Sequence, residues 1–354
     1  MLHLTDAVNS VVRELGEEKR ERYWLGVDGG GTHTRAMIFR SSVDDAGKNL
    51  VGEGNAEAAN FHRVGIETAT KSVKTAIEEA CAQAGITPGM ITAACIGLAG
   101  VSHPDNHRKM FEAISVALPS LPFTLETDAR IALAGATAGK PGVVIIAGTG
   151  SIAFGINRSG VVARAGGWGP TLGDEGSGTY IGRRALEAVM TAYDRRTPEE
   201  TLLTGRICSF FKVQSPAELP SVVYQPNSNV MPQIAQISRI VVDTAQEGDR
   251  VAIEILAESA RQLAKAVKAV IEQLRMKDDA FNVGYVGGVF GAGPLILGPL
   301  ADEINSLAPK AVLAPPMLKP AVGAAKMAAD QHQRRVEALH GAQHIQNDQE
   351  LTLA

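Results

Sequence analysis

Two short turns rich in glycine and hydroxyl residues carry the clearest chemical signal in this sequence. The first, DGGGTHT (Asp28–Thr34), lies between the apolar runs YWLGV and RAMIF; the second, AGTGS (Ala147–Ser151), lies between GVVII and IAFG. Turns of this kind present backbone N–H groups that can cradle phosphate. No lysine follows the glycines, which excludes the GxxxxGK[ST] loop. A β-favouring run follows instead of a helix, which excludes the dinucleotide turn that rests its pyrophosphate on a helix N-terminus. Taken singly, DG and GG also form ordinary hairpins. A matching turn about 120 residues further on raises the odds of a shared phosphate chain, held by amides from both.

The acidic and aromatic residues fit transfer of that phosphate to a hydroxyl. Asp128, in LETDARIALAG, ends a strand and opens a helix, so it reads either as a proton-accepting base or as a plain N-cap. GGWGPTLGDEGSGTYIG (Gly166–Gly182) packs glycines, one of two tryptophans and the adjacent acids Asp174 and Glu175 into a loop running into a helix. A planar apolar face beside acidic groups suits a sugar, while Trp168 as core and Asp174 as a cap is the plainer reading. YVGGVFGAGP (Tyr285–Pro294) places glycines between a strand and a helix, either at a ligand or as a tight βα turn.

The elements that must position these residues alternate between strand and helix, which specifies an α/β protein. The strands are YWLGV, RAMIF, a plausible one near KNLVGEG, MITAACIGLAG and FTLETD; helical spacing covers Ile66–Ala84, the segment HPDNHRKMFEAISVAL and ARIALAGATAG. GVVIIAGTGSIAFGINRSGVVARAGG then repeats the strand–turn–strand opening, which suggests duplicated domains. Leu186–Phe211 and Ser238–Leu274 read as helical, with the Pro-rich surface excursion SPAELPSVVYQPNSNVMPQ between them, and FNVGYVGGVFGAGPLILGPLADEI reads as strand, glycine loop and helix. The expected divisions are a helical extension over 1–22, domains over 23–141 and 142–330, and a polar tail over 331–354.

With 354 residues the chain exceeds what one core usually supports. It is 45% hydrophobic and 20% charged, with 37 glycines, as expected of a soluble globular enzyme. A net charge of −4 gives no footprint for nucleic acid or an anionic membrane. No apolar run is long enough to span a bilayer, no signal-peptide pattern opens the chain, and three dispersed cysteines point to a reducing cytoplasm.

VDGGGTHTRA, TDARIALAGA, IIAGTGSIAFG, GGWGPTLGDEGSG and YVGGVFGAG stand in the order found in N-acetylglucosamine kinases and the wider BadF/BadG ATPase group, which the chain resembles from about Tyr23 to Ala328. The resemblance implies two ribonuclease-H-like, actin-like ATPase domains with ATP in the cleft between them. It implies Asp128 as general base and Asp28 near the Mg²⁺. It assigns Gly29, Gly30, Gly31, Thr32 and Thr34 to the first phosphate loop, Gly148, Thr149 and Gly150 to the second, and Gly287, Gly288 and Gly291 to the adenosine. Asn60, Ser151, Trp168, Gly169 and Asp174 then meet the sugar together with Asp128. Ile152 and Pro170 depart from the family pattern and leave the amino sugar open: N-acetylglucosamine at its 6-hydroxyl, glucosamine, N-acetylmuramic acid or an anhydro sugar. A homodimer is expected of the fold. An activator ATPase for a 2-hydroxyacyl-CoA dehydratase or benzoyl-CoA reductase shares the fold, but needs cysteines that bridge an iron–sulfur cluster. A sugar-sensing repressor or a filament former on the same fold is a third class, but residues 1–22 are too short for a helix-turn-helix domain and no zinc-type cysteine cluster is present.

Overall fold

The computed structural model describes residues 21–43, 48–225 and 230–352; the expected helix over 1–22 lies almost wholly outside them. Two compact units emerge, one from residues up to Ala134 together with those from Lys319 on, the other from Gly135–Leu318.

The first unit is built on β1 (Tyr23–Gly29), β2 (His33–Arg40), β3 (Leu50–Glu57), β4 (Ala93–Leu98) and β5 (Phe123–Thr127), in the order β3-β2-β1-β4-β5. The β1–β2 and β2–β3 pairs are antiparallel, while β1–β4 and β4–β5 are parallel. Both sheet faces are covered, so β1 is buried at successive residues rather than at alternate ones. Leu25 and Val27 pack with Ile96 and Leu98 under α1 (Phe61–Ala84) and α2 (Pro104–Ala117). Asn60 caps α1, Gly85 ends it in the left-handed region, and Gly65 breaks it. Its regular part therefore starts at Ile66, where the sequence spacing begins.

The opposite face of β1 and β4 is closed by α3 (Asp128–Thr137) and by the last helix of the chain. There Cys95, Ile131, Ala324 and Ala328 form a buried cluster. Gly26 touches that helix backbone to backbone, since a methyl group there would overlap the carbonyl of Ala321.

The second unit repeats the plan. Its strands are β6 (Gly142–Ala147), β7 (Ser151–Ile156), β8 (Val162–Gly166), β9 (Phe281–Val286) and β10 (Ala311–Ala314), in the order β10-β9-β6-β7-β8. Again the first three strands pair antiparallel and the last two add in parallel. Written from the first strand outwards, the two sheets are the same. Its helices are α4 (Gly178–Tyr193), α5 (Leu203–Phe211), α6 (Leu219–Val223), α7 (Met231–Gln246), α8 (Arg250–Gln273) and α9 (Pro294–Leu307). Leu256, Leu263, Val267 and Val270 of α8 supply much of the core.

Four expectations are corrected. The 319–330 segment belongs with the first unit, because α10 (Pro320–Thr352) lays its small residues on β1 and β4. The polar segment over 331–352 continues that helix. The 186–211 stretch breaks after Tyr193, where Arg195 takes a positive φ ahead of Pro198. The Pro-rich excursion is partly inside, since Pro216 and Leu219 are buried; residues 226–229 lie outside the described ones.

Candidate functional site

In the first unit the glycine turn, the Gly100 loop and Asp128 all follow the carboxyl ends of adjacent strands, β1, β4 and β5. The turn's carbonyls are each held by the protein: Gly29 O accepts from Ala99 N (3.0 Å), Gly30 O from Ala59 N and Asn60 N (3.0 and 3.1 Å). Gly31 O accepts from Arg63 Nη1 at 2.6 Å. Gly30 N closes the turn on His33 O at 3.0 Å. Among the described residues no backbone partner remains for the amides of Gly31 and Thr32, which makes them the donors a phosphate would meet.

Asp28 and Glu126 share a sheet face, since both pair with Gly97, and Asp128 lies two residues beyond Glu126. Burial first, then the neighbouring Asp128 carboxylate, pushes Asp28 up to about 6, with Arg35 pulling the other way. Burial also raises Asp128, against hydrogen bonds from its own amide and that of Ala129. The capping reading of Asp128 is answered by its neighbour. Thr127 Oγ1 accepts from Arg130 N at 3.2 Å, which is the N-cap bond of α3. Asp128 Oδ1 accepts from the adjacent Ala129 N, at 2.8 Å. Asn60 does cap, its Oδ1 accepting from His62 N at 3.1 Å beside Gly100.

In the second unit the turn between β6 and β7 is held in the same style. Gly148 N donates to Gly150 O at 2.9 Å, and Gly148 O accepts from Gly178 N at 2.7 Å. Thr149 O accepts from Thr179 Oγ1 at 2.7 Å. The amides of Thr149 and Gly150 are the ones left over among the described residues. β9 lies parallel beside β6, so the Gly287–Gly291 loop emerges next to this turn. Gly287 has φ 122°, and a side chain there would overlap the Ala147 carbonyl. Gly288 and Gly291 face open space.

Trp168 is not core: it is 62% exposed, with the Arg164 guanidinium 4.2 Å above its ring. Gly169 beside it has φ 84° and free space around it. Asp174 does not cap α4; Ser177 does, through Tyr180 N. Its carboxyl is raised first by burial and also by Glu175, and lowered by amides of Ser151 and Gly169. Ile152, the departure from the family pattern, packs against Gly167.

Three expected contacts are corrected. Thr34 is fully buried and its hydroxyl donates to Glu57 O at 2.6 Å, because the strand alternation of β2 turns it inward. Gly29 belongs to β1, buried under Leu98 and Ala59. The Ser151 hydroxyl is also turned inward, donating to Glu175 O at 2.8 Å. Sequence reasoning missed Thr127, Arg63 and Thr179. Only Thr127 left a signal, as a threonine placed just before a helix start.

Two units of one β3-β2-β1-β4-β5 plan, each with a glycine turn after its first strand, define a duplicated nucleotide-binding fold. The family model for the BadF/BadG/BcrA/BcrD ATPase family matches residues 25–328, and the chain belongs to that family. An N-acetyl-D-glucosamine kinase from Dictyostelium discoideum is 32% identical over 318 residues, covering 86% of this chain and 97% of that protein. An N-acetylmuramic acid/N-acetylglucosamine kinase from Clostridium acetobutylicum is 33% identical over 268 residues, 76% of this chain and 85% of that protein. A solved structure of a candidate N-acetylglucosamine kinase from Chromobacterium violaceum aligns with TM-score 0.68 at 28% identity, over 86% of this chain and 98% of that one. Among the described residues no helix is long and apolar enough to cross a membrane.

Proposed function

We propose that the protein transfers the γ-phosphate of ATP to a hydroxyl of an amino sugar, with N-acetylglucosamine at its 6-hydroxyl as the foremost acceptor. The observation that carries this reading is Asp128: a half-buried carboxylate at a strand end, relieved of the capping duty by Thr127 and therefore available to a substrate hydroxyl. A carboxylate raised by burial is a better base at neutral pH than an exposed one.

The chain's residues fit a nucleotide. The amides of Gly31, Thr32, Thr149 and Gly150, left without a backbone partner among the described residues, suit phosphate oxygens, and the Gly287–Gly291 loop suits close approach of the adenosine. They also fit Mg²⁺. Asp28 and Asp128 are like charges brought together in a half-buried setting, and a divalent cation that keeps most of its waters needs only one or two carboxylates. Bound there, the ion would neutralise developing charge on the transferred phosphate. The protein's own part is to place the hydroxyl, accept its proton at Asp128 and hold the phosphate by amides. Trp168 and Gly169 offer the sugar a flat apolar face and a bare backbone, and Asn60 offers an amide donor. The relatives named above, which include kinases of N-acetylglucosamine and N-acetylmuramic acid, support an amino-sugar acceptor.

The activator-ATPase reading is disfavoured by the thiols. Cys81, Cys95 and Cys208 are all buried, and burial pushes Cys81 up to about 11 and Cys95 to about 12. Such thiols are poor thiolate ligands. The experiment is an ADP-release assay over N-acetylglucosamine, glucosamine, N-acetylmuramic acid and glucose. Sugar-stimulated release with one or more amino sugars is expected; ATP hydrolysis indifferent to all four overturns the reading.

A further inference from the structure

Arg63, three residues after Asn60, fastens a positive charge to the first glycine turn. Its Nη1 donates to Gly31 O at 2.6 Å, and a methyl group at Gly31 would come within 3.1 Å of the same nitrogen. The guanidinium therefore stands against the residue whose amide, with that of Thr32, is left for a phosphate. Arg63 is carried by the short turn 61–64, which Gly65 at φ 79° separates from the regular part of α1. That turn is fixed to the glycines at its start: Gly30 O accepts from Ala59 N and Asn60 N, and Arg63 N donates to Asn60 O at 2.9 Å. Holding a carbonyl uses one of the five N–H donors of an arginine and none of its charge. Among the described residues Arg63 is exposed and forms no ion pair, whereas Arg35, on β2 of the same hairpin, is committed to Glu53 at 3.4 Å and Asn55 at 3.3 Å. The carbonyls of the second turn are held by neutral donors instead, Gly178 N and Thr179 Oγ1.

We propose that Arg63 is a further catalytic residue, whose spare N–H groups meet the terminal phosphate of ATP while one stays on Gly31 O. The inference rests on the kinase reading. The first turn and Asp128 follow the carboxyl ends of β1 and β5, strands of one sheet, so the phosphate on this turn is the one beside the acceptor hydroxyl. In the transfer the sugar oxygen bonds to phosphorus, and Asp128 takes the hydroxyl proton. The bond to the ADP oxygen breaks, and its electron pair leaves with ADP. Charge spreads over the oxygens of the group in flight, and a planar guanidinium can meet two of them at once. Arg63 gains and loses no proton; it offsets that charge from a place already set by the turn.

The test separates contact with the phosphate from support of the turn. Binding of ATP, ADP and adenosine is measured without sugar for the native protein, Arg63→Ala, Arg63→Gln and Arg63→Lys, with a melting curve for each. The kcat of each is measured with the sugar that most stimulates ADP release. Arg63→Ala and Arg63→Gln are expected to weaken ATP by about 10-fold, with ADP and adenosine within about 3-fold of native, the size of a lost charged hydrogen bond. Both should lower kcat by about 10²-fold or more. Arg63→Lys keeps a cation and should retain at least about 10-fold more kcat than Arg63→Gln. Guanidinium ion, below the concentrations that unfold the protein, should raise the rate of Arg63→Ala and not that of the native protein. Native kcat in Arg63→Gln, or a loss shared equally by ATP, ADP and adenosine, overturns the inference, since the arginine then only fastens the turn. The Gln and Lys variants keep the test decisive where Arg63→Ala fails to fold. Native protein that binds ATP but phosphorylates no sugar sinks the kinase reading, while the ATP-over-ADP preference of Arg63→Gln still decides whether Arg63 meets the terminal phosphate.

Discussion

At Asp28 burial and the neighbouring Asp128 charge act in the same direction, and pH reveals their effect. Its carboxyl is raised to about 6 in the fold from an ordinary 3.8. Below about pH 4 it is protonated in both folded and unfolded chains and changes nothing. Above about pH 6 it is ionised in both, and the fold then carries the penalty. Asp28→Asn should therefore stabilise the protein at pH 8 by about 1–3 kcal/mol and give no gain at pH 4. On the proposed mechanism, with Asp28 beside Mg²⁺, the same substitution should abolish turnover. Denaturant unfolding at the two pH values checks it, and equal effects at both would contradict the charge argument. On the proposed mechanism the acid limb of kcat/KM should fall near pH 6, where the carboxyl of Asp28 titrates. Trp168, exposed under Arg164, should bear on binding alone. Trp168→Ala is expected to raise the sugar KM by about 5- to 50-fold, the energy of one stacked face, with the melting temperature unmoved. At this scale the sequence shows residue types but not directions. Asp128 was legible because a strand end and a helix start fix its place. Thr34 and Ser151 were not, since one residue of turn length decides which way a hydroxyl faces.

The elements explain why the two turns sit where they do. In each unit a turn follows the first strand, and the start of the following helix clamps its carbonyls: Asn60 and Arg63 in one, Gly178 and Thr179 in the other. The order of strands and helices was readable from apolar runs punctuated by glycine. The closing helix was not, because the Gln- and His-rich stretch after Asp330 resembles a solvated tail, while the buried residues of the helix, among them Ala321, Val322, Ala324, Ala325 and Ala328, lie ahead of it. Small residues at that spacing mark close backbone approach, which Gly26 completes from β1. Gly26→Val should cost more than about 2 kcal/mol by forcing α10 off the sheet. Thr127→Ala should cost about 1 kcal/mol by removing the cap of α3. Thermal melts of both variants check these values, and a Gly26→Val protein as stable as the native one would contradict the packing described.

Across the whole molecule, the duplication was visible in the repeated hairpin, but the assignment of chain ends was not. The first unit is completed by residues about 200 positions downstream of its fifth strand, a long-range pairing that no local pattern announces. ATP with Mg²⁺ should stabilise the protein by about 2.7 kcal/mol at a hundredfold excess over its Kd. At the same concentration adenosine alone should stabilise it less. The central claim is narrower: Asp128 takes the proton of a sugar hydroxyl. The measurement that meets it most directly is steady-state phosphorylation of N-acetylglucosamine by native protein and Asp128→Asn, with ATP and sugar binding measured in parallel. The account predicts a fall in kcat of about 10²- to 10⁴-fold, with both affinities within about threefold of native. Undiminished kcat in Asp128→Asn would contradict it.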